Sequence, residues 1–254
     1  MMSDARKTRV GFLVGGAQKS GTTALDACLR QHPQIGMPAH KEVHFFDNEK
    51  LFARNQVDYG IYSAYFSPSP GHLILGETTP AYMYWYAVPQ RVWRYNPLMK
   101  WILILRNPIE RAFSHWNMQR ERGREERTFL QAIETEYQKC RASLPRQCRE
   151  YSYLARGFYT EQIRRIAYCF PSEQLLFIKS EDFRSAPDKV LHRVWDFLQV
   201  DDLPPLELSG KADNSGNYVE EMKAAERERL VFIYEYEIKQ LERMIGWDCA
   251  SWLS

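Results

Sequence analysis

Residues Arg9 to Thr23 read RVGFLVGGAQKSGTT, and no other stretch restricts the fold of this chain so tightly. An apolar run from Val10 to Val14 meets Gly15-Gly16. Lys19 and a Ser-Gly-Thr-Thr turn follow, and a helical pattern opens at Ala24, Leu25, Cys28 and Leu29. The order is strand, short loop, helix. Gly15, Gly16 and Gly21 permit a sharp bend and a close backbone approach to a ligand. The first helical turn offers N–H groups at the positive end of the helix dipole. Lys19 adds a full charge, and Ser20, Thr22 and Thr23 add hydroxyl donors. Such a loop suits an anion with several phosphate-like oxygens. It departs from the Walker A pattern, which places the lysine after its last glycine; here Lys19-Ser20 precedes Gly21, and no strand ends in an obvious Mg²⁺-binding aspartate.

Strands are expected at 10–14, 35–37, 72–75, 100–105 and 174–178. The run KWILIL from Lys100 is apolar without alternation, as a central parallel strand requires. Helical patterns are expected at 88–95, from Pro108 toward Gly123, within 124–150, and at 159–170, 189–198 and 220–245, with a polar loop over 201–218. Alternation of strands and helices predicts a three-layer α/β/α fold with a mostly parallel central sheet and a phosphate-binding loop. The expectation is one domain over 1–254. Ligands of such sheets bind beyond the carboxyl ends of the strands, where the first loop and Arg106 both fall.

The chain has 34 Lys and Arg against 32 Asp and Glu, a net charge of +2. That balance argues against a general polyanion or nucleic-acid binder, so affinity for an acidic ligand must come from local clustering. No run approaches the roughly 18 apolar residues of a membrane span. The apolar stretch after Arg9 is too short for a secretory leader and is read as a core strand. Five cysteines without a C-x-x-C pair indicate neither a zinc site nor a disulfide framework. Cys28 and Cys169 are expected to be buried thiols, and a Cys140–Cys148 bridge is conceivable, but the default is a reduced cytoplasmic enzyme.

A second anion site is expected at Arg106 to Ser114, RNPIERAFS. Arg106 ends a strand, Asn107 is a good helix N-cap, and Pro108 suits the first helical position. Ser114 lies about two turns on, roughly on the face of Asn107, Glu110 and Arg111. A guanidinium fork with a hydroxyl suits a phosphate monoester. Either residue alone is as readily a surface ion-pair partner or an ordinary helical serine; the combination carries the weight.

Both segments have a family counterpart. KSGTT resembles the 5′-phosphosulfate loop, and RNPIERAFS the R-x-P-x-x-R-x-x-S motif, of sulfotransferases that use 3′-phosphoadenosine 5′-phosphosulfate (PAPS). The resemblance implies that Lys19, Ser20, Gly21, Thr22 and Thr23 hold the 5′-phosphosulfate. It places Arg106 and Ser114 on the 3′-phosphate and makes the released product the desulfonated nucleotide PAP. KEVHFFDNE and GETTPAYMYW are similar to stretches of the heparan sulfate sulfotransferases and their bacterial relatives, which implies that Glu42 is the catalytic base. Heparan enzymes tend to carry lysine where this chain has Thr78, a departure that argues against a heparan-type acidic acceptor. The loop before the last helix, Lys211 to Tyr218, corresponds to one that closes over the nucleotide, with Gly216 and Asn217 toward the 3′-phosphate.

Sulfuryl transfer is an in-line displacement in which positioning and electrostatics dominate, by analogy with phosphoryl transfer. Lys19 is expected to neutralise the leaving oxygen. Glu42 is expected to take the acceptor's proton, with a pKa raised by partial burial beside Phe45 and Phe46. His44 is the alternative base. Thr78, Thr79 and Tyr82 are expected to line the acceptor side, with Tyr59, Tyr62, Tyr65, Tyr84 and Trp85 either flooring the acceptor or packing the core. The expected acceptor is a hydroxyl, less readily an amine, of a glycan or small molecule, and no metal is called for. Two other classes compete. A nucleotide or sugar kinase would leave Arg106 and Ser114 unexplained, and a non-catalytic nucleotide-binding module would have no need of Lys19, Glu42, Arg106 and Ser114 together. Arg106→Ala should therefore lose discrimination between 3′-phosphorylated and dephosphorylated nucleotide by about ten-fold or more, since one charge-assisted hydrogen bond is worth about 1.5–3 kcal/mol. Competition binding with the two nucleotides measures it, and wild-type discrimination in the variant would contradict the assignment.

Overall fold

A computed structural model describes residues 9–53, 56–203, 218 and 220–254. In chain order the strands are β1 Val10–Gly16, β2 Ile35–Gly36, β3 Ile74–Thr78, β4 Lys100–Leu105 and β5 Leu175–Lys179. The helices are α1 Thr22–Gln31, α2 Glu49–Phe52, α3 Tyr59–Ser63, α4 Val88–Tyr95, α5 Pro108–Glu121, α6 Phe129–Ala142, α7 Tyr159–Cys169, α8 Ser180–Ser185, α9 Pro187–Leu198 and α10 Ala224–Ile245. These residues group into two units, one drawn from 1–105 and 165–212, the other from 106–164 and 213–254.

The first unit holds the whole sheet, in the order β2-β3-β1-β4-β5, and every neighbouring pair is parallel. The α/β class with a parallel central sheet is thus as the strand–helix alternation predicts. Because the chain runs from β1 to β2 and β3 on one side, then crosses to β4 on the other, the end of β1 is the topological switch point of the sheet. One sheet face is sealed by Phe12, Val14, Ile102, Ile104 and Ile178 packing against Leu25, Cys28 and Leu29 of α1 and Val190, Leu191, Val194, Trp195 and Leu198 of α9. Each such buried side chain contributes about 1.5–3 kcal/mol by leaving water.

Two details depart from the sequence expectation for a common reason. β1 continues through Gly15 and Gly16, where a turn was expected; a Cβ at Gly15 would lie 2.6 Å from the Trp101 ring and one at Gly16 2.7 Å from Met83. Their small size therefore serves packing, and of the loop's three glycines the one with a left-handed backbone is Gly21. β3 lies at 74–78, where 72–75 was expected, because Gly76 is a strand residue beneath Phe12, whose ring would meet a Cβ at 2.1 Å. A glycine chosen for contact reads like a glycine chosen for a bend.

In the second unit, the Asn107 side chain caps α5 by accepting from Ile109 N at 2.9 Å, with Pro108 in the first turn, as expected. Thr128 and Gln131 form a capping box at the start of α6. Arg111 is fully buried and donates to the Tyr153 carbonyl, so it is a core residue rather than a neighbour of Ser114 on an open face. Glu136 accepts from Leu154 N at 2.5 Å and Ala155 N at 2.8 Å, and burial pushes its carboxyl up to about 7. All five cysteines are free thiols.

Gly15→Ala should destabilise the chain by about 1–3 kcal/mol, the usual cost of overpacking, because the rigid Trp101 ring stands where the methyl would go. Urea unfolding measures it; stability equal to wild type would show that the glycine serves the bend instead.

Candidate active site

The loop between β1 and α1 is closed by short backbone bonds. Ala17 N donates to Ile104 O at 2.7 Å, Ser20 N to Ala17 O at 3.3 Å, and Ala24 N to Gly21 O at 3.1 Å. Gly21, at φ 102°, is the N-cap of α1, and no side chain caps that helix. Its first N–H groups therefore lack the usual side-chain acceptor. Lys19 is half-buried with φ 70°, a left-handed backbone that costs a non-glycine residue about 1–2 kcal/mol. Ser20 is 1 % exposed, and its hydroxyl has no hydrogen-bond partner among the described residues. The Gln18 side-chain oxygen is likewise buried and unpaired. Thr22 is buried and Thr23 exposed. A buried hydroxyl left unsatisfied costs about 1–3 kcal/mol, and a multi-oxygen anion would meet the hydroxyl, the uncapped helix and the lysine together. The residues present fit the 5′ end of PAPS.

A second group lies in the same unit, on the irregular segment before α2. Glu42 N donates to Thr78 O at 2.9 Å, which ties this segment to the end of β3. The Glu42 carboxylate meets Lys41 Nζ at 2.8 Å and His44 Nε2 at 3.4 Å, and His44 Nδ1 lies 2.9 Å from Asp47 Oδ2. Asp47 is fully buried, whereas the Glu42 side chain is 46 % exposed. Glu42 and His44 both have left-handed backbones, at φ 66° and 53°. Non-glycine residues in this conformation gather at functional sites, and three of the four described here are Lys19, Glu42 and His44.

The expected rise in the Glu42 pKa is overturned. The hydrogen bond with His44 holds the carboxyl down to about 2; partial burial opposes this, and Lys41 adds to it. Phe45 and Phe46 are buried in an aromatic cluster with Phe52, Tyr59, Tyr62, Tyr82 and Tyr95.

Thr78, Thr79 and Tyr82 are all fully buried. Thr79 Oγ1 and Tyr82 OH both donate to the Glu77 carboxylate, while Thr78 Oγ1 has no partner among the described residues. Tyr62, Tyr84 and Trp85 are buried too, so of the five expected acceptor aromatics Tyr65 is openly exposed and Tyr59 half-buried.

The second unit carries Arg106 and Ser114. Arg106 follows β4 directly; its carbonyl accepts from Tyr159 OH at 2.9 Å and its guanidinium lies 3.9 Å from Glu110. Glu110 is also paired with Arg227. Ser114 is 2 % exposed on α5, and the neighbouring His115 is buried edge-on to Tyr153. Gly216 and Asn217 lie outside the described residues. Among the described residues no group of three His, Cys, Asp or Glu side chains is arranged to hold a metal ion.

Two functional candidates escaped the sequence reading. Asp47 sits in a D-N-E run that reads as a plain turn, and only its spacing of three from His44 hinted at contact. Glu77 lies in a G-E-T-T run read as loop, with nothing local to show that three hydroxyls converge on it.

Residues 11–228 match the sulfotransferase domain family. The chain is 29% identical over 197 residues to heparan sulfate glucosamine 3-O-sulfotransferase 5 of Mus musculus, covering 76% of this chain and 53% of that protein. It is 33% identical over 198 residues to the mouse bifunctional heparan sulfate N-deacetylase/N-sulfotransferase 3, covering 74% of this chain and 22% of that one. A sulfotransferase structure from Alicyclobacillus acidocaldarius superposes with a TM-score of 0.84 at 28% identity, covering 97% of this chain and 99% of the other. The chain belongs to the PAPS-dependent sulfotransferase family. It spans about half the length, or less, of these two curated relatives.

The depressed Glu42 carboxyl has a pH consequence. A group whose folded pKa, about 2, lies below its ordinary 4.5 adds stability that is present above pH 4.5 and lost as pH falls toward 2; its exposure trims the size of the effect. Denaturation of wild type and Glu42→Gln at pH 5 and pH 2.5 should show the smaller acid loss in the variant. Equal losses would mean that the Lys41–Glu42–His44 contacts do not form in solution.

Proposed function

We propose that this chain transfers the sulfuryl group of PAPS to a hydroxyl of a glycan or small molecule, by in-line displacement with a carboxylate base. The observation that carries the reading is the buried, unpartnered Ser20 hydroxyl in an uncapped loop at the switch point of the sheet. The donor supplies an activated sulfuryl group on a phosphate leaving group. Lys19 opposes the charge that builds on the leaving oxygen, while Ser20, Thr22, Thr23 and the backbone from Gly21 hold the phosphosulfate. Arg106 and Ser114 are assigned the 3′-phosphate, supported by the RNPIERAFS pattern, and Gly216 and Asn217 the same end of the nucleotide. The family match runs without a break through both units, which supports one transferase domain.

Glu42 takes the acceptor's proton. Held down to about 2 by its hydrogen bond with His44, whose Nε2 lies 3.4 Å away, it is ionised throughout the physiological range and so free to take that proton as the acceptor attacks. His44, between the Glu42 and Asp47 carboxylates, thus orients the base rather than competing with it. The glycan reading draws on the names of the curated relatives, and the uncharged, fully buried Thr78 favours an acceptor less acidic than heparan. We place Thr78, Thr79 and Tyr82 behind the acceptor, shaping its side of the site. No helix among the described residues is long and apolar enough to cross a membrane, and five free thiols favour a reducing, cytoplasmic setting.

Titration calorimetry with PAP in the presence of a chelator tests this reading, paired with transfer assays under saturating PAPS. PAP should bind without Mg²⁺. Lys19→Ala should cost about 10²–10³ in turnover, as for loss of one transition-state donor, and less in affinity. Binding only with Mg²⁺ would favour a kinase; binding without transfer to any acceptor, a binding module; equal loss of affinity with unchanged turnover would reduce Lys19 to a binding residue.

A further inference from the structure

Glu77 is a carboxylate with no exposure to solvent, in the strand beside β1, opposite Leu13 in register. Burial raises its pKa against the hydrogen bonds it accepts, and its partners are hydroxyls rather than a cation. Tyr62 OH donates to Oε1 at 2.6 Å, Tyr82 OH to Oε1 at 3.0 Å, and Thr79 Oγ1 to Oε2 at 2.7 Å. A buried carboxylate in such a setting is expensive, and the proposed transfer makes no direct use of it.

The direction of these hydrogen bonds suggests what it does. Phe45 N lies 3.0 Å and Phe46 N 3.4 Å from Tyr82 OH. Backbone N–H groups can only donate, so the Tyr82 oxygen must accept from them, and its single proton must go elsewhere. Glu77 is where it goes. The result is a polarised strut: Phe45 and Phe46 amides donate to Tyr82, and Tyr82 donates to Glu77. Phe45 and Phe46 sit between His44 and Asp47, so the strut grips the backbone inside the Glu42–His44–Asp47 segment. Glu42 N to Thr78 O, one residue from Glu77, fixes the other end. Two left-handed residues, Glu42 and His44, lie in that span and would relax if it were released.

We propose that Glu77 is a positioning residue for the acceptor-side base, acting through the Tyr82 hydroxyl on the backbone of Phe45 and Phe46. The proposal rests on the sulfuryl-transfer reading for its kinetic consequence, but not for its structural one. Tyr62 provides the control, since its hydroxyl also donates to Glu77 Oε1 while the segment's amides are held by Tyr82 alone of the two. Glu77→Gln provides a conservative variant, because an amide oxygen can still accept from both tyrosines and its NH₂ can donate to Thr79.

The experiment compares Tyr82→Phe, Tyr62→Phe, Glu77→Gln and Glu77→Leu by amide hydrogen exchange and by transfer kinetics, with PAP affinity as a check on the loop. Tyr82→Phe and Glu77→Leu should speed exchange at Phe45 and Phe46 at least ten-fold over the change at the β4 amides. They should lower kcat at least ten-fold and leave PAP affinity within about three-fold. Tyr62→Phe and Glu77→Gln should change kcat less than three-fold. If Glu77→Leu does not fold, the Tyr82→Phe against Tyr62→Phe contrast decides alone. Equal kcat losses in the two tyrosine variants, or unchanged exchange at Phe45 and Phe46 in Tyr82→Phe, would overturn the proposal. Wild-type protein that binds PAP but transfers to nothing would sink the functional reading, and the exchange contrast would still decide the strut.

Discussion

β1 is hydrogen-bonded in parallel to β3 on one side and to β4 on the other, so three strand ends emerge at the same edge of the sheet. The site groups of the sheet unit depend on that pairing. From the end of β1 comes the loop with Lys19 and Ser20. From the end of β3 comes Thr78, whose carbonyl holds Glu42. The chain leaves β4 at Leu105 straight into Arg106. Large side chains pack over these strands because glycines leave room for them: Gly15 yields to Trp101, Gly16 to Met83 and Gly76 to Phe12. Sheet packing and site construction are the same problem solved by the same residues.

The site is also where the chain departs from its cheapest conformation. Lys19, Glu42 and His44 carry left-handed backbones, Ser20 buries an unpaired hydroxyl, and α1 starts without a side-chain cap. Asn107 and Thr128 cap their helices with side chains, whereas α4, α8 and α9 start without one, as α1 does. An unsatisfied buried hydroxyl beside a left-handed lysine is the kind of local conflict expected where binding supplies the missing partner. The base group differs in kind, because its members already have partners: Lys41, Glu42, His44 and Asp47 pair among themselves. One half of the unit has the features of an anion site, and the other holds a paired carboxylate.

Much of this is legible in the sequence, for reasons that differ by residue. KWILIL announces a central strand because a strand covered on both faces has no alternation. Asn107-Pro108 announces a helix start because capping chemistry is local. What failed was long-range. β3 was misplaced because Gly76, Glu77 and Thr78 look like loop residues until Phe12 and the three hydroxyls are seen around them. The Glu42 pKa was expected to rise because adjacency to Phe45 and Phe46 suggested burial; in the fold those rings turn inward, and the carboxylate meets a histidine and a lysine. Arg111 had the spacing of a surface partner of Ser114 and is instead buried against Tyr153. Sequence neighbours are not spatial neighbours in an irregular segment, and charge does not reveal which way a helix faces.

The central claim is that the acceptor's proton passes to Glu42, which His44 holds in place. The most direct measurement is transfer of ³⁵S from saturating labelled PAPS to an unactivated alcohol and to a nitrophenol, in wild type, Glu42→Gln and His44→Asn. The amide keeps the size of the carboxylate but cannot take a proton. Glu42→Gln should lose about 10²–10⁴ in turnover on the alcohol, as general-base loss does, and much less on the nitrophenol, which is already partly ionised. His44→Asn should lose activity on the alcohol in the same direction. Near-wild-type turnover of the alcohol by Glu42→Gln, with His44→Asn inactive, would contradict the account and make His44 the base.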